Sequence, residues 1–241
     1  MPLFFQNIIS PNTKLAIWQI EEDESFFLEK VTLQRSITHP HKRLQHLAGR
    51  YLLRYLFADF PNEEIEIAST RKPFLPDEQY HFSISHCGNF AAAIVSKNER
   101  VGIDIELITD KVAKIAHKFL NEEEKILVNG QWSVVNSETT NGKREISKDV
   151  ASFSEVSQFT SYVSPFTALT LFWCAKETVY KWWGKGEVDF KNHIQLHNIN
   201  VAEHTFKATF TKLQAPQLLT INYQVFNNLC VTFTHNYFTS R

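Results

Sequence analysis

The run Val101-Gly102-Ile103-Asp104-Ile105-Glu106-Leu107 carries the sharpest chemical pattern in the chain. Read as an extended strand, it puts Ile103, Ile105 and Leu107 on one face and Asp104 and Glu106 on the other, because successive side chains alternate sides. The two carboxylates then leave the backbone about 6.6 Å apart on a common face. Such a pair suits a hard divalent cation, since Mg²⁺ is commonly bound through one or two carboxylates together with water and substrate phosphates. The same alternation also describes an ordinary amphipathic strand with acids on its wet face.

Three further patterns bear polar chemistry. In Trp173-Cys174-Ala175-Lys176-Glu177-Thr178-Val179-Tyr180-Lys181, the residues Trp173, Glu177 and Lys181 share one helical stripe, while Leu171, Phe172, Ala175, Val179 and Trp182 supply apolar surface. This spacing presents a carboxylate beside a cation, and it is equally that of a simple Glu–Lys pair contributing about 0.2–0.5 kcal/mol. From Lys30 to Arg54 the cations Lys30, Arg35, Lys42, Arg43, Arg50 and Arg54 occur without one Asp or Glu, and Arg43, Arg50 and Arg54 align on one helix face. That stripe is either an anion site or a solvated surface. Finally, Arg71-Lys72-Pro73 precedes Ser83-Ile84-Ser85-His86, whose hydroxyl and imidazole groups can donate to phosphate. Adjacency of Ser and His does not make a nucleophile pair, and no His falls in an HExxH spacing.

The elements that must position these groups follow from periodicity. Leu44, Leu47, Ala48, Tyr51, Leu52, Tyr55 and Leu56 predict an amphipathic helix over 43–57. Strands are predicted at 65–67, 80–85, 90–95 and 101–107, and helical structure over 110–128, where Asn121 can cap a turn rich in acids. The short apolar runs Leu15–Trp18 and Phe26–Leu28 read as strands or short helices. A helix is predicted from Pro165 to Trp183, and the rest of the chain reads as mostly strands. Helix-then-strands occurs twice, which predicts an α+β fold of two related halves meeting near Val101, 1–100 and 101–241. The second half carries a Ser/Thr/Asn-rich insertion at about 129–165.

Composition removes several classes. A chain of 241 residues with net charge −1, 43 % hydrophobic and 13 % aromatic residues is neither disordered nor broadly nucleic-acid-binding. The N-terminus lacks a signal-like pattern, and no stretch approaches the length of a membrane span. Cys87, Cys174 and Cys230 are widely spaced and form no CxxC pair, so the expectation is a cytoplasmic, membrane-free protein without zinc. Only 7 glycines are present, and neither a GxxxxGK[ST] loop nor a kinase Gly-rich loop is found.

In order along the chain, Lys72-Pro73, Ser85-His86, Gly102-Ile103-Asp104-Ile105-Glu106 and Trp173-x-x-Lys176-Glu177-x-x-x-Lys181 resemble the 4′-phosphopantetheinyl transferase superfamily. Length and the basic helix resemble its two-copy, Sfp-like branch, which implies a monomer of two similar α+β halves related by a pseudo-twofold, with coenzyme A in the cleft between them. The resemblance implies transfer of the 4′-phosphopantetheine arm of coenzyme A to a serine of an apo acyl carrier protein or peptidyl/aryl carrier domain, releasing adenosine 3′,5′-bisphosphate. It implies Mg²⁺ on Asp104, Glu106 and Glu177, with Glu177 also accepting the serine proton and Lys181 acting beside it on the pyrophosphate. It assigns coenzyme A contacts to Arg43, Arg50, Lys72, Ser85, His86, Lys176 and Lys181. The chain departs from the family pattern at Thr178, where a small residue is usual, at Arg71, where glycine is usual, and in its long polar insertion. The rival expectation is a binding module of the same fold that holds coenzyme A or a carrier protein without transfer.

Overall fold

Runs of alternating apolar residues build two antiparallel sheets, each covered on its outer face by a helix. The structure, a computed structural model, describes residues 2–129 and 164–236. Nearly all of the polar insertion, with Gly130 and Gly142, lies outside the described residues.

The first sheet has the order β1 (Leu3–Ser10), β2 (Thr13–Gln19), β6 (Phe90–Ser96), β5 (His81–Cys87). Between β2 and β5 come the short helix α1 (Glu24–Leu28), helix α2 (Pro40–Leu56) and a small hairpin of β3 (Glu66–Ile67) and β4 (Pro73–Phe74). The second sheet has the order β7 (Arg100–Leu107), β11 (Leu229–Asn236), β10 (Gln217–Phe226), β9 (Thr205–Phe210), β8 (Ile194–Asn200). Helices α3 (Lys111–Phe119), α4 (Glu122–Asn129) and α5 (Pro165–Trp183) lie between β7 and β8 in sequence. This is a mixed α+β fold, as the periodicity predicts. The expected helical span 110–128 is two helices because Asn121 and Glu124 form a reciprocal capping box, each side chain bonding the other's backbone N–H at 2.8–2.9 Å.

Side-chain alternation sorts the core into three layers. Ala16, Trp18, Ala91, Ala93 and Val95 face α2, whose Leu47, Ala48, Leu52 and Leu53 complete that cluster. Leu15, Ile17, Ala92 and Ile94, on the opposite face, meet Ile103, Ile105, Val231 and Phe233 of the second sheet. The outer face of the second sheet packs against Leu171, Phe172, Ala175, Val179 and Trp182 of α5.

Two contacts fix the chemistry-bearing strand β7. Gly102 lets α5 rest directly on the strand, since a Cβ there would stand 2.2 Å from the Thr178 carbonyl oxygen and 3.0 Å from the Trp182 amide nitrogen. Thr178, the departure from the family pattern, bonds the Thr232 hydroxyl at 2.7 Å and carbonyl at 3.0 Å, tying α5 to β11. The other edge of β7 meets β5 without backbone pairing. Instead the amides of Ile103, Ile105 and Leu107 donate to Ser83 Oγ, Ser85 Oγ and Cys87 Sγ at 3.2, 3.3 and 3.2 Å. Alternate side chains of β5 thus satisfy an edge that would otherwise leave buried donors unmet.

Candidate functional site

Strand β7 and helix α5 bring the predicted acids together. Asp104 is only 3 % exposed, so the wet-face reading of this strand does not hold. Its Oδ1 accepts from Ser85 Oγ at 2.8 Å and from Lys181 Nζ at 2.6 Å. Its Oδ2 is buried with no hydrogen-bond partner among the described residues. Glu106 accepts from Trp173 Nε1 at 3.3 Å on one oxygen and from the Cys87 thiol at 3.4 Å on the other. Burial and the Asp104 charge raise its carboxyl above the usual range, and the same burial, with Leu107 N–H acting against it, pushes the Cys87 thiol up to about 11.

From Thr170 to Trp183 of α5, Trp173, Glu177, Tyr180 and Lys181 are the partly open residues, which include the stripe read from the spacing. Burial, then the Asp104 charge opposed by Lys181, then Glu106, raises the Glu177 carboxyl from 4.5 to about 7. The protonated form is therefore favoured in the fold, so this contribution to stability is present below about pH 4.5 and lost as pH rises through about 7. In metal-free protein, Glu177→Gln should flatten that part of the pH profile and be more stable than wild type at pH 8 but not at pH 5. Urea unfolding at both pH values measures this, and parallel loss of stability in both proteins would contradict it.

Can this cluster hold a cation? Among the described residues no three His, Cys, Asp or Glu side chains converge as a ready-made cage. Three carboxylates nevertheless feel one another, and one of their oxygens is buried and unpartnered. A donor set of that kind fits a hard divalent ion whose remaining positions come from water and ligand oxygens.

The basic residues divide sharply. Arg50 is 6 % exposed, its Nη1 has no hydrogen-bond partner among the described residues, and burial and Arg35 lower its pKa to about 10. His46, one turn earlier on α2, is pushed down to about 4 by burial and by the charges of Arg50, Arg35 and His86. His86 is accessible at the end of β5, and its crowded ring beside Lys181 titrates below the usual imidazole range. Arg50 therefore carries the charge here, with His46 and His86 beside it as largely neutral imidazoles near pH 7; charge counting misses His46, although its four-residue spacing from Arg50 marks one helix face.

Five of the candidate side chains are engaged within the protein. Arg43 presents no free guanidinium, because it forks onto Glu24 at 2.7–2.8 Å and donates to the Ile37 carbonyl at 3.0 Å. Arg54 of the same stripe pairs with Glu63 at 2.7 Å. Lys176 does not reach a ligand cavity: it is fully buried, and its ammonium donates to Glu124 Oε2 and to the carbonyls of Phe119, Phe190 and Ile194 at 2.6–2.8 Å. Ser85 gives its one proton to Asp104 rather than to a phosphate. Lys72 donates to the Lys181 carbonyl at the C-terminal end of α5, and burial beside Arg100 lowers its pKa to about 8.

Lys72 also lines two cavities, of about 240 and 220 Å³, the second of which includes Arg71, Tyr180, Lys181 and Gly184. Arg71 adopts φ 68°, the left-handed region in which the family's glycine is at ease. Tyr180 is shared with an open groove of about 1000 Å³ lined by Glu177, Trp173, Phe119, Lys118 and Phe190.

Comparison with known proteins gives this geometry its context. Residues 100–234, more than half of the chain, match the 4′-phosphopantetheinyl transferase superfamily. The chain belongs to that superfamily. The matched span contains β7, α5, β8, β9, β10 and most of β11, and so all three carboxylates and Lys181. The chain is 40 % identical over 82 residues to the 4′-phosphopantetheinyl transferase gsp of Aneurinibacillus migulanus, covering 33 % of each. It is 41 % identical over 68 residues to enterobactin synthase component D of Escherichia coli, covering 28 % of this chain and 32 % of that protein. With the Salmonella typhi protein of the same name the identity is 28 % over 143 residues, or 58 % of this chain and 47 % of the relative. The matches to these superfamily members thus span between about a third and a half of the relatives' length.

Proposed function

We propose that this protein transfers the 4′-phosphopantetheine arm of coenzyme A to a serine of an apo acyl carrier protein or peptidyl/aryl carrier domain, with Mg²⁺ as its metal. The observation that carries the reading is the junction of Asp104, Glu106, Glu177 and Lys181, where one buried Asp104 oxygen has no hydrogen-bond partner among the described residues. Asp104, Glu106 and Glu177 would hold the ion, and when bound it supplies positive charge against the pyrophosphate oxygens.

The side chains supply the rest. The carrier serine oxygen bonds to the β-phosphorus of coenzyme A as the bond from that phosphorus to the departing adenosine 3′,5′-bisphosphate breaks. Glu177 would accept the serine proton, directly or through a water. Lys181 offsets charge gathering on the leaving oxygens. Arg50 would supply the positive charge, and the neutral imidazoles of His46 and His86 the hydrogen-bond donors, that grip a nucleotide phosphate. Tyr180, on the wall of both the 220 Å³ cavity and the open groove, puts one elongated ligand within reach of Lys181 and Glu177 together. Positioning and electrostatics then supply most of the acceleration, as in other phosphoryl transfers.

Two α+β halves, 1–100 and 101–241, form the cleft within a single chain, consistent with a monomer. Cys87, Cys174 and Cys230 are all free, which suits a reducing cytoplasm. Among the described residues no helix is long and apolar enough to cross a membrane. The test is incubation with coenzyme A, Mg²⁺ and a broad panel of apo carrier proteins, read by intact-protein mass spectrometry. One phosphopantetheine increment on a carrier serine is expected. Tight coenzyme A binding without modification of any carrier in the panel would favour the non-catalytic binding module.

A further inference from the structure

Ser85 and Lys181 both donate to the same oxygen of Asp104. Ser85 Oγ and Lys181 Nζ stand 2.8 and 2.6 Å from Oδ1, while Oδ2 is buried and has no partner among the described residues. A planar carboxylate held at one oxygen has the direction of its other oxygen largely fixed. Ser85 can act this way because β5 carries it to the edge of β7, where it also accepts the Ile105 N–H at 3.3 Å. The hydroxyl is thereby oriented from both sides: its lone pair meets an amide and its proton meets the carboxylate.

We propose that Ser85 is a positioning residue, which pins Asp104 through Oδ1 so that Oδ2 is presented to a divalent cation. The inference rests on the reading of Asp104 as a cation ligand given above. It also assigns the first sheet a part in the site, since the serine comes from β5 and the carboxylate from β7. Groups that orient metal ligands typically alter metal affinity by about 10- to 100-fold when removed.

The strand contains its own control. Ser83, two residues earlier, accepts the Ile103 N–H at 3.2 Å and is equally buried, yet it has no hydrogen bond to a carboxylate. Ser83→Ala and Ser85→Ala therefore remove the same kind of tie between β5 and β7, and only the second frees Asp104. Position 87 suggests a milder variant, because the Cys87 sulfur accepts the Leu107 N–H at 3.2 Å. Ser85→Cys should keep the strand tie while offering Asp104 a weaker donor.

The probe is Mn²⁺ alone, its free concentration followed by electron paramagnetic resonance in titrations of the full chain. Wild type and Ser83→Ala should bind with the same dissociation constant, Ser85→Ala about tenfold more weakly or worse, and Ser85→Cys in between. Equal affinity of Ser85→Ala and Ser83→Ala would overturn the positioning role. Should Ser85→Ala fail to fold, Ser85→Cys decides: weakened Mn²⁺ binding supports the role and unchanged binding overturns it. Failure of a different kind marks the underlying reading: if wild type binds no Mn²⁺, or Asp104→Asn binds it as well as wild type, the cation site itself falls and the role of Ser85 with it.

Discussion

Replacing Asp104 with asparagine is expected to lower carrier modification by roughly a hundred- to a thousandfold while leaving the protein folded. The magnitude is that of removing one preorganised electrostatic group from a reaction centre. Asparagine preserves shape and an acceptor oxygen, so the effect isolates the charge. That charge is the common element of the site: it pairs with Lys181 at 2.6 Å, and it contributes to the raised carboxyls of both Glu106 and Glu177. Without it the site loses one of the three carboxylates that would hold the cation, and Lys181, partly open to solvent, loses its partner at 2.6 Å. Steady-state rates on one good carrier, with a thermal melt as control, measure this. A rate within about threefold of wild type would remove Asp104 from the centre of the site.

Lys176→Met should act in the opposite manner, costing about 3–5 kcal/mol of stability through an interaction that never touches a ligand. Lys176 and Glu124 are both fully buried, with Nζ to Oε2 at 2.6 Å. The ammonium also ties together the end of α3, the loop after α5 and the start of β8 through the Phe119, Phe190 and Ile194 carbonyls. Methionine leaves these oxygens and a buried carboxylate unmet. Adding Glu124→Leu should recover only part of the loss, because Glu124 also accepts the backbone amides of Asn121 and Leu196 at 2.9 and 2.8 Å. Urea unfolding of the two variants measures both steps. Unchanged stability with a raised KM for coenzyme A would return Lys176 to the ligand contacts that its motif position implies.

These two lysines show where the sequence was legible and where it was not. The stripe Trp173, Glu177, Lys181 is local and periodic, and the structure presents it to the cleft. Lys176 is one position from Glu177 but about a quarter turn away, on the line of Phe172, Val179 and Trp183, which are buried. That apolar line was a readable sign that its charge would need an internal partner. The partner, Glu124, is 52 residues away and could not be inferred from spacing.

The same limit explains Arg43 and Ser85. Helical spacing correctly placed Arg43, Arg50 and Arg54 on α2, but the acids that neutralise two of them lie on α1 and just beyond α2, outside the charge run that suggested an anion site. The Ser85–Asp104 bond crosses from one sheet to the other, and no one-dimensional pattern reports a joint made of side chains accepting backbone amides. Elements and faces are set by local periodicity, whereas the hydrogen-bond partner of each charge is set by which elements meet.

The most direct measurement is to quantify, in one reaction, the mass gained by an apo carrier protein and the adenosine 3′,5′-bisphosphate released from coenzyme A with Mg²⁺ present. One nucleotide released per phosphopantetheine arm attached to the carrier serine, with both products lost together in Asp104→Asn, is the expected result. Nucleotide release without carrier modification, or modification undiminished in Asp104→Asn, would contradict the transfer chemistry assigned to Asp104, Glu106, Glu177 and Lys181.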